Sequence, residues 1–496
     1  MDVDTIRSRL EDYRTALELD RYELARGLRT ESIARTLRAQ QDDLFALETR
    51  SLIESAIASA ERHSLPRDVH SLKILRAGWT RQHVQQELAP IDSAIDRHGR
   101  VVTIALRDGT RQPLRDLKLL LATAESADYR QELESNRIQQ AKLLIPLMRE
   151  KIGIEQGVAS ALGQPSLLAL LEAETGVDLE AITSHARAFL DQTHDLYQEV
   201  MGWTVRKRIG VPLADARRCD MPYVLAGRYL DYEEAFSAAD MILRTRGFLD
   251  RMGISLNAGG RLKVELDNQG PARAYVGPVR VPADVRLALE IKDGQRDWQT
   301  FLEALGRALY FSHVDPEAPF EQRCLGDPGL ELAYGRLFRN LLLEREWLRQ
   351  SLEFNRSKDY LVLSYLERLY DMRLCCGRVL YDVELRRRGS AEGMEDVFEE
   401  RMRDAVKLSF PREFYLHDVR AGLHSVTQLR ARLFEPLLNL HLLHYFDETW
   451  WRNPRCGPFL SGLWARGGRL GIEAAAEDMG YQLSIKPLLK LFAKNL

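Results

Sequence analysis

Apolar residues recurring at i, i+3, i+4 and i+7 run through most of this chain, and that spacing constrains its architecture more than any other feature. Segments such as "LLIPLMREKIGIEQGVASAL" and "ITSHARAFLDQTHDLYQEVMGWTVRKRIG" carry it. Each presents an apolar stripe to a core, so a mainly α protein is expected. Gly and Pro punctuate the pattern at "IGVPLADARRCDMP", "HVDPEAPF", "LGDPGLE" and "WWRNPRCGPF", which mark helix boundaries. Strand signals are few. "RLKVELD", "ARAYVGPVRV" and "VRLALEI", separated by turn-prone "NQGP" and "GPVRVPAD", predict a small antiparallel β-sheet just before the helix "DWQTFLEALGRALYFSH". "RVVTIALRDGTRQPL" predicts a hairpin. No repeat or low-complexity tract divides the 496 residues, which favours one helical body with two lobes.

Apolar residues make up 45% of the chain and charged ones 29%, with a net charge of −3, so no nucleic-acid partner is expected. The basic triplets Arg206–Lys207–Arg208 and Arg386–Arg387–Arg388 sit in helical patterns with acidic neighbours and read as solvated helix faces. Five cysteines, none in a metal or redox spacing, fit a reducing compartment. Cys375 and Cys376 project about 100 degrees apart on a helix and read as separate core thiols. The charged start "MDVDTIRSRLEDYRTALELDRYE" and the lack of a long apolar run lead to the expectation of a cytoplasmic protein with no membrane partner. Arginine far exceeds lysine, which fits a GC-rich bacterial genome.

The helix "DWQTFLEALGRALYFSH" has the spacing of a zinc helix without its chemistry. A zincin site needs two imidazoles at i and i+4, a carboxylate base beside the first, and a third ligand from another helix. In the octet "EALGRALY", Glu303 and Arg307 stand at the imidazole positions and Ala304 at that of the base. A guanidinium has no lone pair to give a metal. Glu303 and Arg307 could instead neutralise each other across one turn, adding about 0.3–0.5 kcal/mol if exposed.

Taken in order, residues from about 130 to 496 resemble the M3-like zinc oligopeptidases, helical gluzincins with a deep cleft between two lobes. "DWQTFLEALGRALYFSHVDP" is similar to their zinc helix, "LGDPGLELAYGRLFRNLLLEREWL" to the helix carrying the third ligand, and "DVRAGLHSVTQLRARLFEPLL" to the segment that brings tyrosines to the substrate. "WWRNPRCGPFLSGLWARGGRL" and "LSIKPLLKLF" resemble the C-terminal ending, and "YVGPVRVPADVRLAL" the sheet beside the cleft.

The resemblance implies a zincin-like two-lobed body over 131–496, continuous with an N-terminal helical region and β-hairpin over 1–130. Carried over position by position, the third ligand falls on Leu332, with Glu331 pointing about 100 degrees away, and the tyrosines fall on His424 and Gln428. Gly306, Leu309, Gly422, Leu429 and Arg430 keep the scaffold. The resemblance therefore implies the fold without the family's zinc or hydrolysis: a pseudopeptidase with no catalytic residue and no cofactor, and a peptide or protein as partner. Tyr310, Glu331, His424, Gln428, Tyr275 and Val279 are the candidates to line its cleft, where the sheet edge could pair with an extended peptide.

Two alternatives stand beside this reading. One is a hydrolase with an altered metal site built from Glu303, His424, Glu331 and Asp327; the other is a structural partner of an active peptidase. The remaining histidines read as structural. His441 and His444 belong to a core or boundary helix, and His313 suits the negative end of a helix dipole. His417, Asp418 and His424 form a small polar cluster in which Asp418 suits an N-cap. Walker, dinucleotide and GxSxG patterns are missing, and oligomeric state is not legible.

Overall fold

A computed structural model of the chain describes residues 1–267, 270 and 273–496, the side chains of residues 100 and 101 excepted. The expected turn "NQGP", apart from Gly270, lies outside the described residues. The elements used below are, in chain order, α1 (Val3–Ala25), the hairpin strands β1 (Thr103–Ala105) and β2 (Arg111–Pro113), α2 (Ala127–Ala161), α3 (Leu179–Gln192), α4 (His194–Ile209), β3 (Leu262–Glu265), β4 (Ala274–Arg280), β5 (Asp284–Leu289), α5 (Gln295–Ser312), α6 (Pro328–Arg339), α7 (Lys358–Arg388), α8 (Met394–Val406) and α9 (His424–Phe446). Further helices lie between them, so the protein is mainly helical with few strands. Among the described residues no helix is long and apolar enough to cross a membrane.

The chain forms two compact units, each from three segments: residues 1–86, 233–357 and 430–483, and residues 87–232, 358–429 and 484–496. In the first unit the sheet order is β3-β5-β4, with β4 antiparallel and β3 parallel to β5. The expectation of an antiparallel sheet is thus corrected for one of its two pairings. β4 reverses direction after β3, and β5 then inserts between them instead of beyond β4, so β5 runs the same way as β3. Alternation along the strands gives two unlike faces. Lys263, Glu265, Tyr275, Gly277 and Arg286 share the face that meets Tyr22 of α1, whose ring lies 5.1 Å from the Arg286 guanidinium. The opposite, aliphatic face carries Val264, Val285, Leu287 and Leu289. α5 packs on β4 and β5, burying Trp298, Phe301, Leu302, Leu305 and Leu309 completely.

The second unit is organised by α7, a 31-residue helix buried on several sides. Cys375 and Cys376 are both buried there as free thiols. Arg373, only 1% exposed, donates to the carbonyls of Ala405 (2.6 Å) and Leu190 (2.8 Å) and to the Thr193 hydroxyl (2.6 Å). Its guanidinium thus joins the C-terminal ends of α8 and α3, where helix dipoles favour a cation.

Arg386 corrects a second expectation. It is not on a solvated face: at 3% exposure it bonds Asp382, Glu155 of α2 (2.9 Å) and the Arg420 carbonyl (3.0 Å). A charge run reads as solvated only while its helix has an outer face, and here α7 is packed against α3 and α8. Burial raises both the Glu155 and the Asp382 carboxyls despite the neighbouring guanidinium. Removing that cation leaves two buried acids without their guanidinium, Asp382 with only the Ser425 hydroxyl (2.6 Å) and Glu155 with the Gly422 N–H (3.3 Å). Arg386→Met should therefore cost on the order of 3–5 kcal/mol in urea unfolding, and replacing Glu155 and Asp382 by leucine as well should recover most of it.

Candidate functional site

α5, the helix whose sequence resembles a zinc helix, crosses α6 with the two backbones in close approach. A Cβ on Gly306 would stand 2.5 Å from the Tyr334 carbonyl oxygen, and one on Gly335 would stand 2.7 Å from that of Glu303. Only glycine fits either place. α6 starts at Asp327, whose side chain accepts the Gly329 N–H (2.8 Å) and also binds Arg430 (2.6 Å) and the Ile472 N–H (3.1 Å). Burial would raise the Asp327 carboxyl, but Arg430 and the two N–H groups hold it below the usual range.

The close crossing decides where the charges go. Arg307 donates to Glu331 of α6 at 3.2 Å, and Glu303 accepts from Arg339 at 3.3 Å. Glu303 and Arg307 were expected to neutralise each other along α5; instead each is met from α6 by a residue of opposite sign. Glu331, expected to point away, reaches Arg307. The helices run antiparallel, so Glu303 and Arg307 on one meet Arg339 and Glu331 on the other, with Gly306 and Gly335 between. All four side chains are half-buried, so each pair is worth about 0.2–1 kcal/mol and chiefly fixes register. Burial alone would raise the Glu303 carboxyl, yet Arg339, Arg336, Arg307 and Arg432 together hold it low. Glu331 holds the Arg307 guanidinium above its usual range.

These residues do not fit zinc. Arg307 has no lone pair, half-buried Leu332 has no donor atom, and buried Ala304 cannot take up a proton. Among the described residues no three of His, Cys, Asp and Glu are grouped to hold a metal ion. The carboxylates of the alternative hydrolase site are each committed to a different arginine: Glu303 to Arg339, Glu331 to Arg307 and Asp327 to Arg430.

The other candidates fall in separate surroundings. Tyr310 stacks on Tyr334 at 5.4 Å and, with Leu330 and Phe434, lines a cavity of about 20 Å³, room for one water. Tyr275 turns toward α1, donating to Glu18 at 3.2 Å, and Val279 is buried at a β4 irregularity. His424 and Gln428 lie one turn apart on α9 in the other unit, bonded to each other at 3.1 Å.

The edge of β4 is only partly available to a peptide. Glu290 N–H donates to the Arg273 carbonyl, which sets the ladder so that Ala274, Val276 and Pro278 turn their backbone groups outward. Pro278 has no N–H, and Arg14 of α1 donates to its carbonyl at 3.3 Å. The sequence reading missed Arg14, Gly335 and Arg339. For the last two a signal existed: Glu331, Gly335 and Arg339 repeat at i, i+4 and i+8, a stripe complementary to that of α5.

Of the remaining histidines and their neighbours, His441 is buried and His444 exposed. His441 stacks on Phe459 at 5.4 Å. His313 bonds the Leu309 carbonyl at 2.8 Å at the end of α5, and burial lowers its pKa. Asp418 binds Arg378 at 2.5 Å instead of capping a helix.

Two measurements follow from this geometry. Gly306→Ala should cost on the order of 1–3 kcal/mol, since the atom it strikes is backbone and the helices must part; thermal unfolding reads this. His417 receives an Arg137 N–H at 3.0 Å, and burial, with Arg137, Arg218 and Arg378 outweighing Asp418, pushes its pKa down to about 4 from 6.5. The folded state thus resists protonating this ring. Its contribution to stability is complete above pH 6.5 and is lost as pH falls through 4. NMR titration should place His417 near 4, and His417→Phe should flatten the fall in melting temperature over that window.

No family model matches this chain, and no curated protein matches it.

Proposed function

We propose that this chain is a pseudopeptidase, a non-catalytic counterpart of the zinc oligopeptidases that its segments resemble, acting by binding a peptide or protein. The observation that carries this reading is the crossing of α5 and α6. Where the zinc helix would offer lone pairs to one ion, the side chains are instead engaged in two ion pairs between helices, Arg307–Glu331 and Glu303–Arg339. A site drifting at random would leave unpaired charges, which are costly when half-buried. Here the substitutions are mutually compensated, as expected of a scaffold kept for something other than hydrolysis. The outward backbone groups of Ala274 and Val276 are the part of the sheet suited to pairing with a bound strand.

Purified protein should cleave no quenched fluorescent peptide, with or without added zinc, and zinc should not raise its melting temperature. Short extended peptides that bind should stabilise it by RT ln(1 + [L]/Kd), about 2.7 kcal/mol at a hundredfold excess over Kd. Replacing Glu303 and Arg307 by histidine, together with Ala304→Glu and Leu332→Glu, should create zinc affinity if the register of the resemblance is correct. Chelator-sensitive cleavage by the unaltered protein, with stoichiometric zinc, would refute the reading.

A further inference from the structure

A groove of about 850 Å³ lies in the second unit between α4 and the end of α8, within the size range of small-molecule sites. It shares no residue with the α5–α6 crossing. One stripe of α4 lines it, since Glu199, Gly202, Trp203 and Arg206 recur at i, i+3, i+4 and i+7. Asp404 and Lys407 stand on the α8 side.

Three features of these walls point to a ligand. The first is Trp203, 60% exposed, while each of the other six tryptophans is at most 1% exposed. An indole held in water gains nothing from burial, and the contact given for this ring is the Lys207 ammonium, 4.5 Å from its centroid. The second is charge. Among the described residues neither Arg206 nor Lys407 has a carboxylate partner, although both reach the groove. The third is Gly202. It sits inside a helix, where glycine is disfavoured against alanine, and a Cβ there would meet nothing within 4 Å. Protein packing therefore does not require it, and its effect is to keep the groove floor low beside the indole.

We propose that this groove binds a nucleoside phosphate, with the base stacked on Trp203 above Gly202 and the phosphates on Arg206 and Lys407. Aromatic stacking and paired cations are the two contacts such a ligand needs. Glu199 and Asp404 accept hydrogen bonds from ribose hydroxyls or an exocyclic amine. The site is independent of the peptidase-like reading.

Because Trp203 is the one exposed indole, acrylamide quenching of tryptophan emission reports this groove, and Trp203→Phe confirms the assignment. ATP and AMP should protect Trp203 from the quencher. Adenosine and tripolyphosphate, each lacking half of the ligand, should bind about tenfold more weakly by calorimetry. Gly202→Leu, which fills the groove without a clash, should abolish binding, and Arg206→Gln or Lys407→Gln should weaken it about tenfold, all with unchanged circular dichroism and melting temperature. The proposal is overturned if Trp203 stays equally quenchable with ATP, if tripolyphosphate binds as tightly as ATP, or if binding survives both Trp203→Ala and Gly202→Leu.

Discussion

The first unit depends on one contact between two backbones. At the crossing of α5 and α6 the backbones come so near that a Cβ on Gly306 or Gly335 would strike a carbonyl of the facing helix. Everything chemical at that place follows from the distance. With the helices this near, Glu303 and Arg307 meet residues of α6 before they can meet each other. The buried face of α5 is held against the sheet at the same time, so neither helix can turn to present its charges elsewhere. A metal centre requires several donor atoms to converge on one point. This crossing separates them into two neutral pairs.

The second unit meets the same difficulty, buried charge, with a different solution. Among the described residues Arg373 has no acid partner and is held by carbonyls at two helix ends and by the Tyr197 ring 4.7 Å away. Arg386 is enclosed by two acids from two helices, and Arg130 binds Asp220 at 2.7 Å. The planar guanidinium makes this possible, since it offers five donors in fixed directions and can satisfy several chain segments at once. The groove lined by α4 departs from the pattern. Among the described residues its Arg206 and Lys407 have no carboxylate partner, whereas Arg403 pairs with Glu399 and the exposed Trp203 ring meets the Lys207 ammonium.

The helical architecture was legible because periodicity is local. The 3.6-residue stripe of "DWQTFLEALGRALYFSH" became α5 with its apolar face buried, and the three strand segments became β3, β4 and β5. What periodicity cannot carry is pairing between distant segments. The sequence reading placed β3 antiparallel because it treated the strands as a meander, and the insertion of β5 between the others is a matter of topology. It took the whole triplet Arg386–Arg388 for a solvated face, which holds for the exposed Arg387 and Arg388 but not for Arg386, because a charge run looks the same whether or not another helix covers part of it. Glu303 and Arg307 were singled out on one turn of α5, but their partners lie 36 and 24 residues away on another helix.

The amino-acid sequence by itself determined for the most part which segments are helices, and that Arg307, Ala304 and Leu332 carry a guanidinium, a methyl group and an isobutyl group, none of which offers a metal a lone pair. These are properties of residue type and spacing, which no packing can alter. Only the tertiary structure decided which charges face each other, which arginines are enclosed, that Arg14 occupies part of the sheet edge, and that Trp203 looks onto a groove. Those outcomes depend on how close two backbones come, and that distance is set jointly by side chains far apart in the chain.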